Sequence, residues 1–394
     1  MPPVRIVAKD EWTLVNATGT EQNICGSRRG LQGGGAGVLQ PWHRLFVVLL
    51  AAVFAQLVTM AAASAAAGAI TEYALPPNGG WCSCPAAIVL GPDGNLWFTE
   101  NGGAVGHGAI GTITTAGIIT EFALPAYNSS PVGITLGPGG TGLWFTEQNT
   151  NRIGEITTTG AITEFNISLS GSQPRGIVLG PDSNMWFTQS LANATTTTCT
   201  GHHCSTSTST KTGYIGRITP NGTISEFAIP YAYSRPFWIT SGPDGNLWFT
   251  DEGNNSVGRI TTGGAVTEFA LPNASTNPGA HGITAGPDNN LWVAEAYSSQ
   301  VAQVTTTGAI TEFSAPGGPA GIVSGPDKNL WFTEATNTSA VGTMSTTGAV
   351  LASNSLGSSQ YKDPQGITDG PDGRLWFTEE SGGTNGAIGA ITSS

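Results

Sequence analysis

The stretch "GPDGNLWFTE" occupies residues 91–100, and "GPDGNLWFT" returns at 242–250. Looser copies read "GPGGTGLWFTE", "GPDSNMWFTQ", "GPDNNLWVAE", "GPDKNLWFTE" and "GPDGRLWFTE", making seven in all. Their tryptophans are Trp97, Trp144, Trp186, Trp248, Trp292, Trp331 and Trp376, at spacings of 47, 42, 62, 44, 39 and 45 residues. Four short apolar pieces recur around each of them in one order. A segment such as Pro131–Gly137 comes first, the Leu-Trp-Phe-Thr-Glu piece follows a Gly-Pro-Asp-Gly turn, then "RIGEIT" (Arg152–Thr157) and, after a Thr-Thr-Gly turn, "ITEF" (Ile162–Phe165). Runs rich in Ile, Val, Thr, Trp and Phe, bounded by Gly, Pro and Asp, are strands joined by hairpins. No helical periodicity of useful length occurs in 69–394.

Four antiparallel strands per repeat of roughly 40 residues make a propeller blade, because one such sheet cannot cover both of its own faces. The sequence therefore predicts an all-β fold, a seven-bladed β-propeller of four-stranded blades, with strands a to d running from the channel outward. The ends predict how it closes. "AITEYALP" (Ala69–Pro76) is a d strand with no blade before it, and "GAIGAITSS" is a c strand with no d strand after it. Pairing the two completes the seventh blade and removes two open edges. The sixth blade carries "VLAS" at 350–353 in place of "ITEF", which marks its rim as the weakest. The tryptophans and phenylalanines of the phrase are expected in the core.

The first 68 residues read differently. Leu45–Ala63 is a 19-residue run without charge, preceded by His43 and Arg44 and followed by small residues, with Ala63-Ser64-Ala65 as a cleavage site. That describes a signal peptide or, left uncut, a membrane anchor over 45–68, behind an N-terminal extension (1–44) expected to be disordered. Either reading makes 69–394 a secreted or cell-surface protein. Residues 69–394 hold 9 Lys+Arg against 23 Asp+Glu, a net of −14, which excludes a nucleic-acid partner and suits attraction of cations. Cys82, Cys84, Cys199 and Cys204 are an even set that suits disulfides in an oxidising compartment, with three pairings open.

Six of the seven b strands end in an acid three residues after tryptophan: Glu100, Glu147, Asp251, Glu295, Glu334 and Glu379. Gln189 is the exception, and Glu252 and Glu380 follow one residue later. Antiparallel pairing brings these ends beside the starts of the a strands, so the acids are expected at one mouth of the channel. Two readings stand: a carboxylate ring holding a hard cation through oxygen, with Asp363 and Glu380 the best pair and Glu295 a third candidate, or local capping and hydration. Tyr231 and Tyr233 are candidates for a substrate rim, or surface aromatics. The 62-residue spacing comes from Ser190–Gly213, inserted between strands b and c of the third blade and placed to act as a lid. Its Cys199, His202, His203 and Cys204 fit no usual zinc spacing, and a Cys199–Cys204 disulfide is the simpler expectation.

The units at 133–165 and 242–272 closely resemble virginiamycin B lyase, also called streptogramin lyase, and the likeness runs through 69–394. The resemblance implies a seven-bladed propeller that opens streptogramin B lactones by elimination at an ester, using Mg²⁺ and a histidine base. It also implies a small-molecule or cyclic peptide ligand and a monomer. In the family's last blade a Glu-Pro-His opens strand a, and a further glutamate lies four residues after the strand-b tryptophan. Here Asp363 matches the first glutamate and Glu380 the second, while Gln365 stands at the place of the base and is, with Tyr231 and Tyr233, a candidate substrate-binding residue. Ala320 stands where the preceding blade should carry a substrate-binding histidine. The matching strand-a position of blade 5 holds His281, the candidate catalytic base if blades exchange roles, with Gly279 rather than an acid two residues before it. Three functions follow: a lyase of this type; a non-catalytic extracellular propeller that has lost the family's histidines and binds a ligand or protein; or a lactonase, which needs a metal set deep in the channel that the sequence does not supply.

Overall fold

Each copy of the phrase builds one four-stranded antiparallel sheet. In blade 1 the strands are Cys84–Leu90, Leu96–Asn101, His107–Ile113 and Ile119–Tyr127, paired in that order. The computed structural model describes residues 13–15, 21–23, 68–76, 83–102, 107–191, 194–200, 203–209, 212–272, 279–335, 339–357, 362–380 and 386–393. Seven such blades follow one another. The last is built from Pro364–Asp369, Arg374–Glu379 and Ala387–Thr392, and its fourth strand is Ile70–Ala74 from the other end of the propeller. The predicted closure is therefore the observed one. The propeller lies in a unit spanning Ala65–Ser394. In the separate unit Met1–Ser64, Thr13–Val15 pairs antiparallel with Glu21–Asn23. The apolar run Leu45–Ala63 lies outside the described residues. Among the described residues no helix is long and apolar enough to cross a membrane.

Packing follows from the phrase. Trp97, Trp144, Trp186, Trp248, Trp292 and Trp376 are at most 1% exposed. Five stack on a strand-d phenylalanine of their own blade, with ring centres 5.4–5.7 Å apart. Trp376 stacks on Tyr73 of the closing strand at 5.6 Å. Their other neighbours come from the next blade: Trp144 and Ile153 of blade 2 share a cluster with Ile177, Met185, Phe187 and Ile218 of blade 3. Blade 6 has no aromatic residue on strand d, and its Val350–Ser355 is almost wholly exposed, with Leu351 at 55%.

The indole nitrogen needs a partner once buried. In six blades the turn aspartate four residues earlier accepts its N–H at 2.9–3.1 Å. Blade 2 writes "GPGG" there and has no such aspartate. Burial opposes the charge on Asp93 and Asp244, but hydrogen bonds from the indole and the following asparagine outweigh it and hold both carboxyls below their ordinary value.

The threonine two residues after tryptophan joins the blades. Each hydroxyl accepts a backbone N–H from strand a of its own blade: Thr99 from Ala87, Thr146 from Gly133, Thr188 from Gly176, Thr250 from Trp238, Thr333 from Gly321 and Thr378 from Gly366. Each donates in turn to a strand-a carbonyl of the next blade, at Val132, Arg175, Phe237, His281, Gln365 and Ala86 respectively, over 2.6–2.8 Å. The Thr378–Ala86 link closes the ring. Blade 5 has Ala294 in this position, so its link to blade 6 is missing. Thr378→Val should therefore cost about 1–3 kcal/mol by leaving a buried carbonyl and a buried N–H unpaired. Ala294→Thr should add about 1 kcal/mol by completing the ring. Equilibrium urea unfolding measures both, and a neutral Thr378→Val would refute this account of closure.

Candidate functional site

Strand a begins with a bulge in every blade. The register against strand b slips between a proline or alanine near the strand's start and the isoleucine three positions on, in all seven pairs. A bulge leaves an extra residue and re-aims its side chain. At the position after that proline or alanine stand Ala86, Val132, Arg175, Phe237, His281, Ala320 and Gln365, and all seven line one cavity of about 350 Å³. Its floor is one isoleucine from each blade, Ile88 to Ile367. Its lip includes Asn101, Gln148 and Glu380, which lie four residues after their tryptophans.

The acids three residues after tryptophan are not at this mouth. Glu100, Glu147, Asp251, Glu295 and Glu334 are 0% exposed and Glu379 is 3% exposed, and none lines the cavity. The expected carboxylate ring at the mouth is corrected accordingly. Side chains alternate along a strand, so Glu147 shares a face with Phe145 while Gln148 turns to the channel. Glu147 receives the Thr150 hydroxyl at 2.6 Å and lies against Glu164 of strand d. Asp251 likewise faces Glu268, Glu295 faces Glu312, and Glu379 faces Glu72 and Lys362. Burial and these like charges push Glu147, Glu295 and Glu379 up to about 7 and Glu268 to about 8.

Of the candidate site residues, the cavity gathers His281, Gln365 and Glu380, with Asp363 behind Gln365. The Gln365 amide donates to Asp363 at 2.9 Å, and the Glu380 N–H donates to the Asp363 carbonyl at 3.0 Å. Burial first, then their mutual repulsion, raises Glu380, and burial also raises Asp363 against the Gln365 hydrogen bond. Two carboxylates that repel across one hairpin are the kind of oxygen donors a divalent cation takes. Glu295 does not join them. It accepts the Ser298 hydroxyl at 2.8 Å, on the far side of strand b from the channel. Among the described residues no group of three His, Cys, Asp or Glu side chains is arranged to hold a metal. Tyr231 and Tyr233, expected at a substrate rim, are 38% and 62% exposed and do not line the cavity. They sit in the loop before Pro236, where the proline-led start of strand a carries them outside the lip.

Blade 5 cannot repeat the arrangement of blade 7. Gly279 and Ala296 occupy the places of Asp363 and Glu380, joined by the same backbone bond at 3.0 Å. Gly279 has φ +68°, and a Cβ there would meet the Tyr297 ring at 2.3 Å. His281 instead takes its carboxylate from blade 4: its Nε2 lies 3.3 Å from Glu252, while Arg235 lies 3.5 Å from the other oxygen. Burial raises the Glu252 pKa, but His281, Arg175 and Arg235 together pull it below its ordinary value. Phe237 packs against the His281 ring at 4.7 Å and Tyr297 meets it edge-on at 6.0 Å. Sequence reasoning missed this pairing. The available signal was that Glu252, like Glu380, follows its tryptophan by four.

The insertion in blade 3 is a hairpin, Ala194–Thr200 with His203–Ser209, whose register sets Cys199 opposite Cys204. Its side chains, and Cys82, lie outside the described residues. Cys84, on the cavity wall, is in a disulfide.

Comparison with known proteins places the fold in one class, the streptogramin lyase propellers. A model of the virginiamycin B lyase family matches residues 56–206 and 201–318. A catalytically inactive His-to-Ala variant of virginiamycin B lyase from Staphylococcus aureus, crystallised with quinupristin, is 31% identical over 82% of this chain and 99% of its own, with a TM-score of 0.68. A streptogramin B lyase structure is likewise 31% identical, over 82% of this chain and 97% of its own, with a TM-score of 0.68. A hydrazine synthase from Kuenenia stuttgartiensis shares the fold alone, at 14% identity and a TM-score of 0.54. No curated protein sequence matches the chain. The chain belongs to the virginiamycin B lyase family.

The paired carboxyls of the blades carry a pH signature. Burial raises Glu295 to about 7, so its stabilising proton is fully held below the ordinary carboxylate range and lost as the pH rises through 7. Glu295→Gln should therefore be more stable than the parent at pH 8, with the gap closing toward pH 5. Thermal melts across that range decide it. A variant that loses stability equally at both pH values would show that the carboxylate, not the acid, is the native form.

Proposed function

We propose that this propeller opens a cyclic ester ligand of the streptogramin B type by elimination, with His281 as the base. The observation that supports this most is the His281–Glu252 contact at the lip of the cavity, 3.3 Å long and only 17–19% exposed. With Nε2–H donated to a carboxylate, the neutral imidazole keeps its lone pair on Nδ1. Glu252 thus fixes the tautomer and stabilises the imidazolium that forms. The base takes the proton on the carbon next to a carbonyl. The electron pair forms a C=C bond as the ester C–O bond breaks, and the released carboxylate leaves the product linear with no water consumed. The isoleucine floor and Phe237 take the apolar body of the ligand and keep water from it. Asp363 and Glu380 would hold Mg²⁺, with the Gln365 side chain beside them. When bound, such an ion would polarise the ester carbonyl and lower the energy of the enolate. Export belongs to the same proposal and rests on the apolar run at 45–63 and the disulfide at Cys84.

Gln365 and Ala320 favour a second reading, a propeller that binds such a ligand and leaves it intact. They stand in the two strand-a positions where the resemblance calls for histidine. One assay separates the two. The full chain is incubated with a streptogramin B lactone and Mg²⁺, and the product is weighed. A linear product of unchanged mass is elimination, whereas one water gained is hydrolysis. His281→Ala should lower kcat/KM by about 100-fold or more, and Glu252→Gln by about tenfold. Asp363→Asn should abolish the response to Mg²⁺. Binding without turnover would overturn the enzyme reading in favour of the second.

A further inference from the structure

Arg175 opens strand a of blade 3 (Pro174–Leu179) and its side chain lines the cavity. Elsewhere in the propeller the described arginines are engaged. Arg152 pairs with Glu164, Arg235 with Glu252 and Arg374 with Asp372, while Arg217 lies 4.0 Å from Asp182 and Arg259 donates to the Thr306 carbonyl. Among the described residues the Arg175 guanidinium has no ion pair and no hydrogen bond, and its Nε is buried without a partner. It is held 4.7 Å over the Phe237 ring, on the wall that also carries His281. Burial works against its charge and nearby Glu252 offsets part of that, but both Glu252 oxygens already face His281 and Arg235. A half-buried guanidinium whose buried Nε has no partner is costly, and in a propeller of net charge −14 the nearest carboxylate, Glu252, is already shared by His281 and Arg235.

We propose that Arg175 is an anion subsite, so that the ligand of this cavity carries a carboxylate beside an aromatic or apolar body. The planar fork of a guanidinium takes both oxygens of a carboxylate, and its stacking on Phe237 means little side-chain freedom is lost on binding. The body of the ligand lies on Phe237 and the isoleucine floor. A single cation suits a monoanion. The inference rests on the cavity being a ligand site, as proposed above, and not on elimination taking place there.

The test is a binding measurement without turnover. 3-Phenylpropionate and 3-phenylpropionamide share one body and differ in charge, and Trp238 on the cavity wall reports occupancy by fluorescence. The full chain should bind the acid at least about tenfold more tightly than the amide. Arg175→Gln should bring the acid to the level of the amide and leave the amide unchanged. Arg175→Met, which keeps an apolar stem over Phe237, gives the same comparison if the glutamine variant fails to fold. Equal affinity for both probes, a preference that survives loss of the guanidinium, or no saturable binding of either probe would each overturn the subsite. An inactive His281 site would leave this outcome untouched.

Discussion

One hydroxyl per blade holds the ring together and sets the mouth. The threonine of Trp-Phe-Thr lies between two a strands, accepting from its own and donating to the next. The carbonyls it fixes belong to Val132, Arg175, Phe237, His281, Gln365 and Ala86, the residues whose side chains line the cavity. Blade-to-blade cohesion and placement of the site are therefore one interaction. A side chain at a bulge is poorly held by the strand ladder, since the bulge leaves part of its backbone unpaired. Here the neighbouring threonine supplies that partner. The exception also falls at the site: Ala294 leaves the Ala320 position of blade 6 without this anchor, between the histidine of blade 5 and the glutamine of blade 7.

Much of the fold was legible because its cause repeats. Seven tryptophans at nearly equal intervals, a turn aspartate four residues before six of them, and a strand-d aromatic in six blades describe one packing solution written again and again. The closure was readable from two orphan strands at the ends. The mouth was less legible for a reason of parity. Strand side chains alternate, so a miscount of one residue moves a group to the opposite face. The conspicuous acids three residues after tryptophan turned into the blades, and three of the residues one step later, Asn101, Gln148 and Glu380, line the cavity. The bulge that aims Arg175 and His281 left no mark in composition at all.

Pairing across blades was the least readable feature. His281 and Glu252 lie in different repeats, and their contact depends on the radius of the ring and on where each hairpin ends. Blade 5 offers its own histidine no carboxylate: Gly279 stands where blade 7 has Asp363, and Ala296 where it has Glu380. The place of the acid is vacated in one blade and supplied by the one before it. Near-equivalent blades make such a transfer inexpensive, because the residue four after tryptophan stands at the same place at the end of strand b in every blade.

Rotational equivalence also explains how one cavity carries two electrostatic walls. Positions that are identical by the fold differ only by side chain, so the first bulged residue gives Arg175 in blade 3, a phenyl in blade 4, an imidazole in blade 5, a methyl in blade 6 and an amide in blade 7. The acids gather in blade 7 and, among the described residues, a guanidinium without an ion pair stands in blade 3, with Glu252 shared by His281 and Arg235 between them. Had the carboxylates three residues after tryptophan faced the channel, negative charge from six blades would have swamped this contrast. Their burial, which in Glu147, Glu295 and Glu379 favours the proton over the charge, keeps the mouth open to distinctions made by single residues. The repeat that makes the blades alike thus hides its own charge inside them, and leaves the lining free to differ from blade to blade.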